Sequence, residues 1–347
     1  MLTNEQLDEL REHLERAQNP LFYYDNDADG LCSFLILRRF LGRGKGVAVR
    51  SYPDLNENYV KKAKELKADY VFVLDKPVIS RKFVEEFDKV GMPLVWIDHH
   101  DVEREDLSSF SNLFFYNPAL NKEKSYEPVT YLSYKITERK EDIWLALIGC
   151  VADHYMPDFS EEFREMYPDL WAKNVKEPFD VYYKTEIGRI ARSFNFGLKD
   201  SVTNVVQFQN FLISCRSPRD VFSELSGNQK FRKKYFDIKK KYDSLLGKAK
   251  EHVLEKFLFF SYSGELSISS DLSNELSYLF PNKIIIIAFI KGVTTNISLR
   301  GKKVRDIFEK VKKNMPELYG GGHEEAVGAR IKSEDIEKFK ELLLREI

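Results

Sequence analysis

Three aspartates alternate with other residues in the segment Asp25-Asn26-Asp27-Ala28-Asp29-Gly30. Carboxylates this close repel one another in a compact fold, and a bound cation would remove that cost, because hard divalent metals prefer oxygen ligands. The segment also matches the opening of a calcium EF-hand loop. That loop needs a glutamate at its twelfth position, where this chain has Ile36, and a preceding helix, where this chain predicts a strand. Two interpretations of the segment therefore remain, namely another kind of metal site and a solvated acidic turn.

Two adjacent histidines follow a second apolar run, in the order Asp98-His99-His100-Asp101. The chain has only six histidines, so a pair beside aspartates at a predicted strand end favours metal binding or proton transfer over a structural role. Neighbouring side chains point in different directions. One imidazole could therefore bind a metal while the other faces a substrate phosphate.

Two further aspartates end apolar segments. Asp75 follows Val73-Leu74, and Asp153 closes an apolar run that begins at Ile143 and predicts a buried helix. A carboxylate on a buried segment is costly unless it is paired or metal-bound. Five of these aspartates and the two histidines, from four separated segments, make a donor set that suits two Mn²⁺ or Mg²⁺ ions. Such a pair promotes in-line displacement at phosphorus.

Short apolar runs alternate with helical patterns over the first hundred residues. This alternation predicts an α/β fold, a parallel sheet with helices on both faces. Three of the four predicted strands end in aspartate, and ligands bind outside the carboxyl ends of such strands. The predicted strands are Leu21–Asp25, Val47–Tyr52, Tyr70–Asp75 and Pro93–Asp98, and the helices between them are Leu31–Leu41, Val60–Leu66 and Arg81–Val90.

A long connecting helix is predicted from Asn228 to Phe257, because apolar residues recur every three to four positions. Its other face is basic, with nine Lys or Arg against two Asp between Lys230 and Lys250. This face is either the solvated side of a linker or a surface that contacts phosphates. A smaller α/β domain follows, with strands at Leu258–Ser261, Lys283–Ile290 and Thr295–Leu299 and a final helix, Ser333–Ile347, capped by Ser333.

The length and composition of the chain limit which of these interpretations are possible. A length of 347 residues predicts about two domains. The formal charge of -1 excludes a uniformly basic nucleic-acid-binding surface, but not a local basic patch. Three separated cysteines disfavour a disulfide framework and a cysteine-based zinc site. Because the N-terminus lacks a secretory pattern and the longest apolar run, Ile284–Ile290, is too short to span a membrane, we predict a soluble cytoplasmic protein.

A glycine-rich segment, Tyr319-Gly320-Gly321-Gly322-His323, predicts a turn near the C-terminus. Consecutive glycines let backbone N–H groups approach a phosphate or base closely. Arg300 and His323 could supply charged donors, and arginine suits bidentate phosphate contact. A tight turn without a ligand is the alternative.

The order DNDADG, LDKP, DHH and VADH resembles the four motifs of the DHH phosphoesterase superfamily, and YGGGH resembles the GGGH motif of its DHH-associated domain. Asn296–Gly301 resembles the segment with which that family grips phosphate. The first motif begins with an aspartate, Asp25, and in this it resembles the motif of the RecJ-like single-strand exonuclease branch. The manganese pyrophosphatases lack GGGH, which disfavours that activity here.

The resemblance implies a role for each matched residue. Six would bind two Mn²⁺ or Mg²⁺ ions, with Asp75 bridging them, while His100 would contact the scissile phosphate and Asp98 would orient the histidines. The implied metal ligands are Asp25, Asp27, Asp29, Asp75, His99 and Asp153, and the implied substrate-binding residues are Ser298, Arg300, Gly320, Gly321, Gly322 and His323.

The predicted function is that of a RecJ-like exonuclease, which hydrolyses single-stranded DNA or RNA to nucleoside 5′-monophosphates in DNA repair or replication, with a partner protein from that machinery. The alternatives are an oligoribonuclease or cyclic-dinucleotide phosphodiesterase, and a non-catalytic Cdc45-like scaffold. The predicted organisation is a catalytic domain over residues 1–225, which includes a helical insertion at 159–222, then a basic linker helix over 226–257 and a substrate-binding domain over 258–347.

Overall fold

The computed structural model of the chain describes residues 1–50, 55–224 and 226–347, without the side chains of residues 226 and 323. These residues form two compact units, Met1–Tyr235 and Phe236–Ile347. The predicted α/β fold is confirmed, since the first unit has a parallel sheet flanked by helices and the second is a smaller α/β unit. Over the described ranges, the helices are all too short or too polar to cross a membrane.

Five strands form the sheet of the first unit, namely β1 (Pro20–Asp25), β2 (Lys45–Val49), β3 (Tyr70–Leu74), β4 (Leu94–Ile97) and β5 (Leu113–Tyr116). They lie in the order β2-β1-β3-β4-β5, and every neighbouring pair is parallel. This order brings the carboxyl ends of β1, β3 and β4 together, because the three strands are adjacent and run the same way.

Helices cover both faces of this sheet. The α-helices up to the start of the second sheet, not all of which touch the first sheet, are α1 (Asn4–Arg16), α2 (Ala28–Leu41), α3 (Val60–Glu65), α4 (Arg81–Asp88), α5 (Val129–Thr137), α6 (Ile143–Ala152), α7 (Ser160–Met166), α8 (Pro178–Lys184), α9 (Glu186–Gly197), α10 (Val202–Ser214) and α11 (Gln229–Lys250). Alternate strand residues face opposite sides. Tyr23 therefore packs against Phe83 of α4, whereas Phe22 and Tyr24 pack against Phe34 of α2.

Several predicted boundaries move in the structure. β2 ends at Val49, and residues 51 and 52 of the predicted strand lie outside the described residues. β3 and β4 end one residue before Asp75 and Asp98, and the N–H groups of these aspartates donate to the carbonyls of Ile97 and Tyr116, the last residues of the neighbouring strands β4 and β5. The strand β5 was not predicted. Residues 159–222 contain the helices α7 to α10, and their status as an insertion stays a prediction.

The second unit has a five-stranded mixed sheet. Its elements are β6 (Phe257–Ser263), α12 (Ser269–Leu279), β7 (Ile284–Lys291), β8 (Thr294–Arg300), α13 (Val304–Lys313), β9 (Tyr319–His323), β10 (Ala326–Lys332) and α14 (Ile336–Leu344). The order is β6-β7-β8-β10-β9, in which only β6 and β7 pair in parallel. α11 ends at Lys250 rather than at Phe257, and the boundary between the units falls inside it.

The glycine-rich segment is a strand, so the prediction of a turn is wrong. Gly320 to Gly322 form most of β9, which pairs with β10, and the turn itself falls at Glu324-Glu325. A Cβ on Gly322 would lie 2.1 Å from the carbonyl oxygen of Ala326, so glycine allows the two strands to pair this closely. Ser333 does not cap the last helix either, because its hydroxyl donates to the Gly292 carbonyl at 2.8 Å.

Candidate metal centre

The carboxyl ends of three adjacent strands supply the centre of the acidic cluster. Asp25 is the last residue of β1, while Asp75 and Asp98 directly follow β3 and β4. Asp75 has a positive φ of 58°, and its N–H donates to the carbonyl of Ile97 at 2.9 Å. This turn directs its carboxylate toward the histidines that follow β4, where His99 Nε2 lies 3.4 Å from Asp75 Oδ1.

The start of α2 adds the other two aspartates of the first motif. Asp27 caps the helix, and its Oδ1 accepts the N–H of Gly30 at 3.0 Å. Asp29 is buried, and its two carboxylate oxygens accept the N–H groups of Val129 and Thr130 at 3.0 and 2.8 Å. Those two residues begin α5, so Asp29 supplies the negative charge that a helix N-terminus favours.

All six predicted ligands, together with His100, gather in three overlapping groups. In each group the donor atoms lie within 4.8 Å of one another. Asp75 belongs to two groups and His99 to two, which is the arrangement that a shared, bridging ligand requires. The groups are Asp25, Asp27 and Asp75, then Asp75, His99 and His100, then Asp29, His99 and Asp153. Their assignment as metal ligands stays a prediction.

The electrostatics of the cluster fit a divalent cation. Burial and the neighbouring Asp25 and Asp29 raise the pKa of Asp27 to about 8. Burial and the adjoining aspartates likewise raise the pKa of Asp75 well above its usual range. Asp75 Oδ1 is buried without a hydrogen-bond partner among the described residues. A cation would supply the missing partner and offset the repulsion between these carboxylates.

His99 points its Nε2 into the cluster. Its Nδ1–H donates to the carbonyl of Tyr126 at 3.4 Å, so Nε2 faces Asp75 and also Asp153, whose Oδ2 is 3.6 Å away. Burial alone would lower the pKa of His99, but Asp153 and Asp29 outweigh it and raise the pKa. A metal at this position would therefore compete with a proton on Nε2.

Asp98 bonds to His100 and to two further side chains, while its role as an orienting residue stays a prediction. His100 Nδ1–H donates to Asp98 Oδ1 at 2.7 Å, which fixes the tautomer of the neutral ring. Asp98 is fully buried, and Arg104 and Asn117 donate to its other oxygen. Sequence reasoning missed both residues, because Arg104 lies in a polar loop without a motif and Asn117 directly follows β5, the strand that was not predicted.

A lysine in the centre was also missed. Lys76 is 2% exposed, and its Nζ donates to Asp25 Oδ1 at 2.8 Å. A lysine directly after a predicted metal ligand was the available signal, since lysine is almost never fully buried unless it is paired.

The predicted substrate-binding residues of the second unit lie on β8 and β9, the two strands that flank β10. Gly328 of β10 pairs with both Ser298 and Gly321, and Ala326 pairs with both Arg300 and His323. The side chain of His323 lies outside the described residues.

Arg300 and Ser298 contact the start of α12. Arg300 Nε donates to Asn274 Oδ1 at 2.6 Å and Nη2 to Ser270 Oγ at 3.2 Å, while Ser298 Oγ donates to Ser269 Oγ at 3.1 Å. Their use in substrate binding stays a prediction.

Solved structures share this fold at low sequence identity. RecJ from Thermus thermophilus in complex with Mn²⁺ matches with a TM-score of 0.68 and 15% identity over 98% of this chain, which spans 53% of that protein. An exonuclease RecJ bound to manganese matches with a TM-score of 0.64 and 16% identity, over 98% of this chain and 92% of that protein. PggH, a pGpG-specific phosphodiesterase from Vibrio, matches with a TM-score of 0.51 and 12% identity. That match covers 95% of this chain and 99% of PggH.

Two family models match in succession, whereas no curated protein matches the sequence. The DHH family N-terminal domain covers residues 21–152 and contains five of the six predicted ligands. The DHHA1 domain covers residues 255–347. With both domains in the expected order on a RecJ-like fold, the chain belongs to the DHH superfamily.

Proposed function

We propose that this chain is a metal-dependent phosphodiesterase, a RecJ-like exonuclease that hydrolyses single-stranded DNA or RNA to nucleoside 5′-monophosphates. The observation that carries the proposal is the set of overlapping donor groups that share Asp75 and His99. A DHH phosphoesterase fold supports hydrolysis of phosphate esters, and the orphaned Asp75 Oδ1 supports a bound cation.

Two Mn²⁺ ions, or Mg²⁺ in their place, would be held by the predicted ligands. The ions, when bound, would lower the pKa of a water and neutralise charge on phosphate oxygens. The ligands would be Asp25, Asp27, Asp29, Asp75, His99 and Asp153.

The protein's own groups would place and protonate the substrate. His100, held by Asp98 through Nδ1, would present its other ring nitrogen to the scissile phosphate or the leaving oxygen. Ser298, Arg300 and the β9 glycines would bind phosphate in the second unit. Residues 1–225 would then be catalytic, 226–257 a basic connection, and 258–347 the substrate-binding domain.

The test uses end-labelled single strands of DNA and RNA with Mn²⁺. Wild type should release mononucleotides, and Asp75→Asn should lose at least about a thousandfold in rate, because the shared carboxylate becomes a neutral amide with a single oxygen. Asp8→Asn, on the exposed side of α1, is the matched control and should cleave normally. Equal rates for wild type and Asp75→Asn would contradict the proposal.

A short oligonucleotide or cyclic dinucleotide is the second candidate substrate. The match to PggH supports it, because the two chains cover one another almost fully, as this chain and the second RecJ exonuclease also do. Faster cleavage of two- to five-nucleotide RNAs than of long strands, in the same assay, would establish this alternative.

A non-catalytic scaffold would lack stoichiometric metal. The complete donor set argues against it. Metal analysis of the purified protein after dialysis against Mn²⁺ distinguishes the enzyme from the scaffold, since a scaffold should retain no stoichiometric Mn²⁺. We also propose that the protein acts in the cytoplasm with a DNA repair or replication protein as its partner.

A further inference from the structure

A buried ammonium lies among the carboxylates of the candidate metal centre. Lys76 is 2% exposed, and its Nζ donates to Asp25 Oδ1 at 2.8 Å. Asp25 belongs to the donor group that also contains Asp27 and Asp75. One of the three carboxylates expected to bind a cation there therefore already has a positive partner built into the chain.

The backbone around Lys76 fixes this arrangement. Trp96 Nε1–H donates to the Lys76 carbonyl at 2.8 Å, and Arg104 Nε–H donates to the next carbonyl, that of Pro77, at 2.8 Å. The N–H of Asp75 bonds to the β4 carbonyl of Ile97. With three consecutive residues anchored, the buried side chain has little freedom to leave Asp25.

The two sides of the centre consequently differ in charge. The group Asp29, His99 and Asp153 has no lysine or arginine ion pair within the described part of the chain. The group that contains Asp25 has the Lys76 ammonium in direct contact. A fixed positive charge this close repels a divalent cation and occupies one carboxylate oxygen that the cation would use.

We propose that Lys76 makes the centre asymmetric. A first divalent cation binds tightly to Asp29, Asp75, His99 and Asp153, and a second binds much more weakly at Asp25, Asp27 and Asp75, because it must share Asp25 with the ammonium. The inference rests on the proposed function, in that these side chains are taken as metal ligands. Lys76 is in this sense a positioning residue that sets the affinity of one subsite.

The experiment titrates the full chain with Mn²⁺ alone and follows free aquo-Mn²⁺ by electron paramagnetic resonance, which gives both stoichiometry and affinity. Lys76→Met removes the charge at similar length, and Lys76→Arg keeps it. In wild type, the second ion should bind at least about tenfold more weakly than the first. In Lys76→Met, the second ion should bind at least about tenfold more tightly than in wild type, with the first unchanged.

Lys76→Arg should keep the wild-type asymmetry if charge is the cause. Circular dichroism and thermal unfolding test whether each variant is folded. If Lys76→Arg does not fold, the comparison of wild type with Lys76→Met alone decides whether Lys76 causes the asymmetry. Two equal affinities in wild type, or unchanged affinities in Lys76→Met, would overturn the inference while the proposed function stands. Failure of wild type to bind any Mn²⁺ would instead contradict the proposed function itself.

Discussion

At the scale of single residues, the most connected side chain of the centre is one that is not a predicted metal ligand. Asp98 is fully buried and joins His100 to Arg104. A buried carboxylate with two such partners does two things, since it balances the guanidinium and it fixes the orientation of the imidazole.

Replacing Asp98 with asparagine should separate these roles. We expect Asp98→Asn to lower kcat by about a hundredfold or more, because His100 loses its anionic partner. We also expect a loss of about 3 kcal/mol in the free energy of unfolding, because Arg104 stays buried without its charge partner. Steady-state kinetics and urea unfolding measure the two effects. The control, Asp101→Asn, changes a half-exposed carboxylate next to the pair and should unfold like wild type. Wild-type kcat in Asp98→Asn would rule out this role.

The raised pKa of Asp27 predicts a pH dependence for the metal-free protein. Its pKa is about 8 in the folded state against a usual 3.8. The folded protein then keeps a proton that the unfolded chain has lost, so the free energy of unfolding should fall as pH rises from about 4 to about 8. Saturating Mn²⁺ should reverse this fall at high pH, because the ion replaces the proton.

Thermal unfolding in chelator and in Mn²⁺, over that range of pH, measures the effect. Asp27→Asn has no titrating group at this position and should show a smaller slope in chelator. An identical slope in Asp27→Asn would show that other groups cause the dependence.

At the scale of elements, three helices fix the position of Asp29. Asp29 lies in the first turn of α2, and its carboxylate accepts two N–H groups from the start of α5, where Thr130 Oγ1 also donates to the Asp29 carbonyl at 2.8 Å. α6 packs against this point through Gly149, where a Cβ would lie 2.1 Å from Thr130 Oγ1. The position of this candidate ligand therefore depends on a close helix contact that only glycine allows.

Gly149→Ala should disturb the centre from a distance. We expect a loss of about 1–3 kcal/mol in the free energy of unfolding, because the methyl group must displace Thr130. Mn²⁺ affinity should fall with it, since Asp29 moves with α5. Denaturant unfolding and Mn²⁺ titration provide the measurements. Gly247→Ala, in α11, meets no atom within 4 Å and should be neutral or slightly stabilising. A Gly149→Ala variant that matches wild type in both measurements would contradict this account.

At the scale of the whole molecule, a formal charge of -1 conceals a separation of charges. Acidic side chains concentrate at the carboxyl edge of the first sheet, whereas lysines line the exposed face of α11. Lys240 and Lys241 are both exposed there. If this face contacts a phosphate backbone, binding should weaken with salt, because each neutralised phosphate releases counterions.

Replacing Lys240 and Lys241 with alanine should reduce that salt dependence. For a single-stranded oligonucleotide, the slope of log Kobs against log salt should become shallower by about 1.4, which corresponds to two lost phosphate contacts. Fluorescence anisotropy in an Asp75→Asn background avoids cleavage. The control replaces Lys62 and Lys89, exposed lysines of the first unit. If the control lowers the slope as much as the α11 variant does, the basic face has no special role.

The sequence alone determined the parallel sheet, its aspartate-tipped strands and the succession of two domains, because alternating hydrophobic patterns and strand ends are local features. The tertiary structure decided which groups surround the candidate ligands. Lys76 and Asn117 lie just after β3 and β5, and Arg104 lies in a loop, but only the folded chain brings them into contact with Asp25 or Asp98. It also decided that the glycine-rich segment is a strand, because pairing with β10 is a long-range interaction. Local periodicity sets elements, whereas partners of buried charges come from contacts between residues far apart in the chain.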